Sequence, residues 1–583
     1  MATKVNAENA SELYFSNLQC TTKNKEKLIL KDLSGQFPPG SLIGLMGPSG
    51  AGKTTLLNIL SAYCPQNATF DCLQLNGVNT DFEHLQSISC YITQDIHLND
   101  LLNVEENMRF AADFKLGETH SQIEKNSIIT ELLDSFGLSS SRSTRAGKLS
   151  GGERKRLALA LEMISDPRII YLDEPTTGLD ISTTHQILTY LKKIAGTGKT
   201  VICTIHQVCA SHFDLFDLVY VIADGQCAYQ GRPQDLVPFL DEHGLPCNIY
   251  HNPADYLIEL CCGDFGPEKA SQLVKASQNG VTYIQRNHRQ LVSSSINLKQ
   301  NANATWSYQF RTLMGREYVK MQRNWLLTYL RFLGSNFLGL AIGLIFYDVG
   351  SDASKVFFNY NLALATCSNL VLSGLLYPIL SFPLQMDVVK REIHNRYYSI
   401  IQYYISVSIL DLPISILTIA SSSMLIYYLS GQVFEKDRVM IFILFSIVLG
   451  VTVNAIGFFY GTLLDLNNAI FFGSCTQLPL MSLSGFAIMP QDLPYYLGKF
   501  SHLIYARRGV QGYLVAIFGL ESRKLHCPEE VEYCAYSETH RFMKELEVDP
   551  YEYVSALYVL VGWYVAVRVI TYYTMRYRLS LLA

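Results

Sequence analysis

The sequence has few charges and no basic excess. Charged residues make up 17% of the 583 residues, and the formal net charge is −5. Proteins that bind nucleic acid through its phosphates carry a basic patch and usually a high isoelectric point. A function on DNA or RNA is therefore not expected, and no nucleic-acid partner is predicted.

Two further absences concern targeting and redox state. The first fifteen residues, MATKVNAENASELYF, lack the apolar core of a secretory signal peptide. An internal membrane helix would then direct insertion and leave the first half of the chain in the cytosol. The 14 cysteines follow no zinc or disulfide-framework spacing. Most of them precede residue 263, where a reducing cytosol would keep thiols free.

A glycine-rich phosphate loop occupies 47–54. Its sequence, GPSGAGKT, fits G-x-x-x-x-G-K-[ST] between a strand-like run at 41–46 and a helical run at 53–62. Backbone amides of such a loop surround a β-phosphate, while Lys53 reaches the β- and γ-phosphates and Thr54 coordinates Mg²⁺. The predicted nucleotide contacts are Gly47, Pro48, Ser49, Gly50, Ala51, Gly52, Lys53, Thr54 and Thr55.

An acidic pair, Asp173-Glu174, ends the apolar run 169–172. Carboxylates at the end of a buried strand are costly unless a metal or a reacting group compensates them. We predict that Asp173 binds Mg²⁺ and that Glu174 polarises an attacking water. Without the phosphate loop, the pair would indicate only a boundary between strand and turn before Pro175.

Hydropathy divides the chain into a cytosolic half and a membrane half. Strand-like runs alternate with helical ones before residue 263, which predicts an α/β core with a parallel sheet. The second half contains runs close to the ~20 apolar residues that cross a bilayer and predicts an all-α membrane domain. The predicted parts are a nucleotide-binding domain at 1–262, a linker at 263–304, an interfacial connecting helix at 305–329 and a membrane domain at 330–583.

Six membrane spans are predicted in this second half. They lie at about 330–348, 361–382, 400–429, 439–463, 469–489 and 553–574. Six spans place both termini in the cytosol and the segment 490–552 outside. Lys390, Arg391 and Arg396 between the second and third spans agree with a cytosolic loop there.

Two small features outside the nucleotide motifs are candidate sites. Cys527 and Cys534 lie in the segment that would face the oxidising side, and we predict an intrachain disulfide; free thiols or a bridge between subunits are the alternatives. Arg391-Glu392 could couple nucleotide-driven closure to the membrane helices. The alternative is a solvated charge pair.

The phrase LSGGERKRLALALE at 149–162 lies between the phosphate loop and the acidic pair. This order and spacing resemble the nucleotide-binding domain of ATP-binding cassette (ABC) proteins, and the whole chain resembles a half-transporter of subfamily G, the group of the insect White-type pigment transporters and the sterol exporters. In that group the nucleotide domain precedes the membrane domain, as it does here. The resemblance assigns further roles to Gln94, Ser150, Gly151, Gly152, Asp180 and His206.

Those roles follow the family pattern. Gln94 would sense Mg²⁺ and the membrane domain, and His206 would contact the γ-phosphate. Ser150, Gly151 and Gly152 would bind the γ-phosphate held by a partner subunit, and the loop through Asp180 would cross the dimer interface. The resemblance therefore implies ATP, Mg²⁺ and a homodimer or heterodimer with another half-transporter.

The implied activity is ATP-driven export of sterols or other apolar lipids by alternating access, in the plasma membrane or a vesicle membrane. A heterodimeric White-type transporter of pigment precursors is the alternative. A soluble ABC ATPase does not fit, because such proteins carry two cassettes and no spans. A regulator with an inactive cassette does not fit either, because Lys53, Ser150, Glu174 and His206 are all present.

One departure from the family concerns the base of the nucleotide. Many ABC proteins stack an aromatic ring on adenine about 25 residues before the phosphate loop. Between Leu18 and Gly47 the only aromatic residue is Phe37, and Thr21 or Thr22 falls at the expected place. Selectivity for adenine is therefore expected to be weak, and GTP remains an alternative nucleotide.

Overall fold

The structure is a computed structural model. It describes residues 11–22, 27–63, 68–205, 209–248, 250–281, 304–486, 488–519, 525–528 and 534–581. The chain divides into two compact units. The first unit contains the chain through Thr312 together with Arg391–Tyr398, and the second contains Leu313–Lys390 with Ser399–Leu581.

Two sheets form the strand framework of the first unit. Its strands among the described residues are β1 (Leu13–Thr21), β2 (Leu28–Phe37), β3 (Leu42–Met46), β4 (Ala68–Thr69), β5 (Cys72–Leu75), β6 (Val78–Asn79), β7 (Ser89–Ile92), β8 (Ile169–Leu172), β9 (Thr200–Thr204), β10 (Leu218–Ala223) and β11 (Gln226–Gly231). The smaller sheet is antiparallel, with the order β2-β1-β5-β6 and β4 paired to β1.

The larger sheet has the order β11-β10-β3-β9-β8-β7 and is parallel from β10 to β7. Every residue of β3, β8 and β9 is buried, as expected for parallel strands that are covered on both faces. The carboxyl ends of these three adjacent strands lie at one edge of the sheet. The predicted α/β fold is confirmed, and this edge is where its phosphate loop and acidic pair begin.

Helices cover the sheets. The helices of the first unit include Lys53–Leu60, Phe82–Ile88, Val104–Leu116, Gln122–Ser135, Gly151–Met163, Ile181–Gly196, Ala210–Phe213, Leu236–Glu242, Pro253–Cys262 and Pro267–Ser277. The last of these corrects the predicted linker at 263–304, whose first part is helical. Its polar sequence hides a fully buried side chain, Leu273, which fixes the helix to the first unit. Residues 282–303 lie outside the described part.

The second unit is helical, as predicted. Its helices, two of which begin or end in the first unit, are Trp306–Arg323, Trp325–Ile345, Val356–Ser381, Pro383–His394, Ile400–Leu429, Lys436–Leu463, Leu466–Met481, Tyr495–Ser501, Tyr505–Leu514, Thr539–Glu545 and Tyr553–Leu581. Within the described residues, five helical segments are long and apolar enough to cross a membrane. They are Trp325–Ile345, Ala353–Ser381, Ile400–Leu429, Lys436–Leu463 and Pro550–Leu579.

The predicted span at 469–489 differs from the other five. The helix there, Leu466–Met481, has 16 residues, and it would cover about 24 Å at the usual α-helical rise. A π-helical turn, Ser482–Phe486, follows it and contains Gly485 at φ 109°. The hydropathy of the sequence continues through this turn, so the α-helical part is shorter than the apolar run suggested.

The connecting helix is also shorter than predicted. It runs over Trp306–Arg323 rather than 305–329, because Asn324 leaves the helical conformation (φ −89°, ψ 36°) and a new helix starts at Trp325. Arg316 and Glu317 on this helix are 2% and 7% exposed and form an ion pair of 3.2 Å. These charges therefore face protein and are not part of a solvated helix surface.

Polar groups within the apolar helices of the second unit bond to neighbouring helices. Arg331 forms an ion pair of 2.6 Å with Asp411, and the Asn369 amide donates to Ser422 Oγ at 3.1 Å. Each contact links the helix Ile400–Leu429 to another apolar helix of the second unit. The side-chain nitrogen of the buried Asn454 has no hydrogen-bond partner among the described residues.

In its described part, the segment predicted to lie outside, 490–552, contains three short α-helices and the predicted disulfide. Cys527 and Cys534 are bonded in the structure, with their Cα atoms 6.0 Å apart. Cys534 is 9% exposed and packs in the apolar core of the second unit. The bridge therefore connects a loop to that core.

Candidate functional site

The phosphate loop follows β3 directly. Gly47 has φ 141°, and a Cβ atom there would lie 2.1 Å from the carbonyl oxygen of Ile222, so only glycine fits. Lys53 begins the next helix and is 7% exposed. Its amine donates to the carbonyl oxygens of Gly47 and Pro48 at 2.7 and 2.8 Å. The Lys53 side chain therefore reaches back across the phosphate loop to the residues at its start.

Burial lowers the pKa of Lys53, and the negative charges of Glu174 and Asp173 oppose that shift. The structure thus brings the lysine into the electrostatic range of both predicted carboxylates. A buried ammonium group that has only carbonyl partners retains strong affinity for an anion. Such an arrangement is suited to bind the terminal phosphates of a nucleotide.

Asp173 follows β8 and is 6% exposed. Its Oδ1 accepts hydrogen bonds from Thr54 Oγ1 at 3.2 Å and from Thr204 Oγ1 at 2.6 Å. Burial raises the pKa of Asp173, although both hydroxyl bonds act in the opposite direction. Two hard oxygen ligands, a hydroxyl and a carboxylate, therefore lie together beside the phosphate loop, and this is the donor chemistry that Mg²⁺ prefers.

Glu174 adopts a left-handed backbone conformation with φ 46°. Its amide donates to Thr204 Oγ1 at 2.7 Å. Its carboxylate oxygen Oε2 accepts from Gln94 Nε2 and from Thr177 Oγ1, both at 2.9 Å. The structure therefore joins two residues that the sequence predicted separately, Gln94 and Glu174, and it adds Thr177.

The helix Gly151–Met163 presents the LSGG phrase at its N-terminus. Ser150 caps this helix, and its hydroxyl and the Glu153 side chain form a reciprocal capping box. Ser150 and Gly151 are exposed, and a Cβ atom at Gly151 would meet nothing within 4 Å. Among the described residues, Ser150 makes no hydrogen bond to the phosphate loop of its own chain. Ser150 and Gly151 are therefore accessible to another molecule at this helix terminus.

The remaining predicted residues divide into three groups. Asp180 caps the helix Ile181–Gly196 through the Thr183 amide, and hydrogen bonds from the Thr183 hydroxyl and from this amide lower the pKa of Asp180. Ser49 and Gly50 are exposed in the loop, while Ala51 and Gly52 are buried beneath it and Thr55 lies in the following helix. His206 lies outside the described residues. Phe37 packs against Phe15 and Tyr220 in the core, so it is not available to stack on a base.

Lys155 was not predicted from the sequence. It lies on the helix Gly151–Met163, and its amine donates to the carbonyl oxygens of Thr177 at 2.5 Å and of Glu174 at 3.4 Å. Thr204 was also missed, although it holds both Asp173 and the Glu174 amide. Lys155 acts on backbone carbonyl oxygens, and Thr204 is a threonine at the end of a strand. Neither feature can be distinguished in the sequence from an ordinary surface lysine or strand threonine.

The predicted coupling pair lies in Arg391–Tyr398, a segment that belongs to the first unit. Glu392 is 1% exposed, and its carboxylate accepts from Asn99 Nδ2 at 2.9 Å and from Tyr398 Oη at 2.5 Å. Arg391 lies 3.6 Å from the same carboxylate. The pair is therefore buried and bonded, and the alternative of a solvated charge pair is wrong.

Two other side chains of this segment contact the first unit. Tyr397 Oη donates to Glu162 Oε1 at 3.0 Å, and Lys115 forms an ion pair of 2.5 Å with Glu162. The Asn395 side chain accepts from the amide of Tyr91 and donates to its carbonyl oxygen, at 3.2 and 3.1 Å. These partners lie 235 and 304 residues earlier in the chain, so no local pattern pointed to them.

Comparison with known proteins gives two family models and several relatives. The model described as ABC transporter matches 30–177, and the model described as ABC-2 type transporter matches 308–518. "Protein white" of Drosophila melanogaster is 29% identical over 587 residues, covering 95% of this chain and 83% of its own. "Protein scarlet" of the same organism is 32% identical, covering 70% of this chain and 64% of its own. The "Broad substrate specificity ATP-binding cassette transporter ABCG2" of Bos taurus is 28% identical, covering 73% and 70%.

Proposed function

The chain belongs to the ABC transporters of subfamily G and is an ATP-hydrolysing membrane transporter, and from this premise we propose that two half-transporters pair to export sterols or other lipids. The observation that carries the proposal is that the nucleotide motifs lie at two separate places in the first unit. Lys53, Asp173 and Glu174 share one edge of the sheet, while Ser150 at an exposed helix terminus makes no hydrogen bond to that edge within the described part of the chain.

ATP would bind with its β- and γ-phosphates on the loop Gly47–Thr54 and beside the Lys53 amine. Thr54 and Asp173 would hold Mg²⁺, with Gln94 completing the ligand set as in the family pattern. When bound, Mg²⁺ neutralises charge on the phosphate oxygens. Thr204 keeps the Asp173 carboxylate directed at Thr54, because its hydroxyl donates to the same Oδ1 atom.

Glu174 would act as the general base. Its carboxylate oxygen Oε2 accepts two hydrogen bonds, from Gln94 and Thr177, and these fix its direction. The attacking water would lie between this carboxylate and the γ-phosphate. It would give its proton to Glu174 as its oxygen bonds to the γ-phosphorus, while the bond from the γ-phosphorus to the β–γ bridging oxygen breaks and ADP leaves.

The partner subunit would complete the site. Ser150 caps the N-terminus of a 13-residue helix that Gly151 and Gly152 begin, and the helix dipole at this end favours an anion. Each γ-phosphate would then contact the phosphate loop of one chain and the LSGG phrase of the other. ATP would close such a dimer, and hydrolysis would open it.

The segment Arg391–Tyr398 would transmit this motion. It forms the end of the helix Pro383–His394 and the turn after it, and it precedes a candidate span. Its buried contacts to Asn99 and Glu162 lie on either side of the helix Val104–Leu116 in sequence. Movement of those elements on ATP binding would therefore move the beginning of a membrane helix.

Export of a lipid is the proposed direction and substrate class, with pigment precursors of the White type as the alternative. We propose six spans, in which Leu466–Met481 and the following turn form the fifth and both termini lie in the cytosol. The membrane would be the plasma membrane or that of an intracellular vesicle. Residues 490–552 would then lie outside.

The decisive experiment is the ATPase activity of the purified protein in nanodiscs, with sterols, phospholipids and purines added one at a time. Stimulation by sterols or phospholipids supports the lipid proposal, and stimulation by purines alone supports the White-type alternative. Glu174→Gln protein gives the background. No stimulation by any lipid would contradict a lipid substrate and leave the ATPase itself intact.

A further inference from the structure

Lys155 connects two parts of the first unit that have different functions. It lies five residues after Ser150 on the helix Gly151–Met163. Its side chain is half-buried, and its amine donates to the carbonyl oxygen of Thr177 at 2.5 Å and, more distantly, to that of Glu174 at 3.4 Å. Burial lowers the pKa of Lys155, and the negative charge of Glu174 opposes the shift.

The loop that Lys155 holds determines where the Glu174 carboxylate lies. Glu174 has a left-handed backbone, which non-glycine residues adopt only when neighbouring contacts stabilise it. The Thr177 amide donates to the Glu174 carbonyl at 3.3 Å, and the Thr177 hydroxyl donates to the Glu174 carboxylate at 2.9 Å. Lys155 therefore fixes Glu174 at its backbone, and through Thr177 also at its side chain.

The neighbouring basic residue, Arg154, makes different contacts. Arg154 donates instead to Asp100 at 2.7 Å and to the carbonyl oxygen of Ala146 at 3.0 Å. Thus one basic side chain of the helix reaches the segment before it in the chain, and the next reaches the loop after β8. Both contacts lie within the first unit.

We propose that Lys155 is a positioning residue that fixes the Glu174 loop and links the two ATP sites of the dimer. The proposal rests on the proposed function, in which Ser150 at the start of this helix contacts the partner's nucleotide. A displacement of the helix when it engages that nucleotide moves Lys155, and Lys155 moves the loop that carries Glu174. Each site thereby responds to whether the other is occupied.

The test compares four full-length proteins in nanodiscs: wild type, Lys155→Met, Lys155→Arg and Lys193→Met. Lys193 is an exposed lysine on the helix Ile181–Gly196 and serves as the matched control. For each protein, kcat, KM and the Hill coefficient for MgATP, nucleotide affinity and the melting temperature are measured. Methionine retains the length of the side chain and removes its donor.

Lys155→Met is expected to lower kcat about 10–100-fold, part of the 10²–10⁴ that a general base contributes. KM, nucleotide affinity and melting temperature should stay near wild type, and the Hill coefficient should fall to one. Lys155→Arg should recover most of kcat, because a guanidinium can donate to both carbonyl oxygens. Lys193→Met should match wild type.

Three results would overturn the proposal. They are an unchanged kcat in Lys155→Met, a loss of kcat that arginine does not rescue and that follows the melting temperature, and a Hill coefficient of one in the wild-type protein. Failure of the proposed function is seen separately. If Glu174→Gln retains turnover, Glu174 is not the base, whatever Lys155→Met shows.

Discussion

Glu174 is held at its carboxylate by Gln94 and Thr177 and at its backbone by Thr204 and Lys155. The sequence predicted its role from one motif, an acidic pair after an apolar run, and the structure adds Thr177, Thr204 and Lys155 around it. The phosphate loop could be predicted because its chemistry lies in consecutive residues. The residues that orient Glu174 could not, since they act through backbone atoms or come from separate strands and helices.

Replacing Glu174 with glutamine should separate nucleotide binding from turnover. The amide cannot take a proton from water, so hydrolysis should fall about 10²–10⁴-fold, while the phosphate loop and Lys53 remain unchanged. ATP should then be trapped in a closed dimer. The measurement is steady-state ATPase together with retention of labelled ATP. Glu131→Gln, an exposed residue on the helix Gln122–Ser135, is the control, and near-normal hydrolysis by Glu174→Gln would reject the role.

At the scale of elements, the sequence located strands well and helix ends less well. β8 and β9 match the predicted runs because both are continuous apolar segments that end in polar residues. The helix Pro267–Ser277 was missed because one buried leucine does not make a periodic pattern. The prediction of a span at 469–489 did not include the π-helical turn that contains Gly485, because hydropathy does not register such a turn.

The segment Arg391–Tyr398 should couple ATP use to transport through Glu392. Glu392→Ala leaves the Asn99 amide and the Tyr398 hydroxyl without their buried acceptor, and each such loss costs about 1–3 kcal/mol. We expect substrate-stimulated ATPase and transport to fall roughly tenfold, with ATP affinity retained. Asp387→Ala, an exposed acidic residue on the helix Pro383–His394, should behave as wild type. Equal stimulation in both variants would contradict coupling at Glu392.

The bridge between Cys527 and Cys534 should be present in the protein purified from an oxidising compartment. A loop of this size gains on the order of 2–3 kcal/mol from such a cross-link in the chain-entropy model. Mass mapping without reduction should yield one linked peptide pair. Alkylation of both thiols before any reductant is added would show that the bridge is absent, and a linked species of twice the subunit mass would show a bridge between subunits.

At the scale of the whole molecule, each ATP site of the proposed dimer takes its parts from two chains. A Lys53→Met chain mixed with a Gly151→Asp chain places both lesions in one site and leaves the other intact. The aspartate finds open space at Gly151, so it should not disturb its own fold. Mixed dimers should recover part of the ATPase that both mutant homodimers lack. The absence of recovery in verified heterodimers would contradict independent composite sites.

The proposed orientation can be tested by glycosylation. The segment 490–552 contains no asparagine, and the Asn-x-Ser/Thr sequences begin at Asn9, Asn67 and Asn303 in the proposed cytosolic half. Asn67 and Asn303 lie outside the described residues. We therefore expect no N-glycan on the protein from a eukaryotic host. A change in gel mobility after endoglycosidase treatment would contradict the proposed orientation.

Arg391–Tyr398 belongs to the first unit but is synthesised well after the rest of it. Its hydrogen-bond partners are synthesised long before it. They include Asn99, Glu162 and the backbone of Tyr91. At 5–20 residues per second, Tyr398 is made roughly 4–17 s after Thr312. During that interval a nascent first unit exposes buried polar groups and aromatic surface to chaperones. The first unit can therefore complete these contacts only after the second candidate membrane helix has been synthesised.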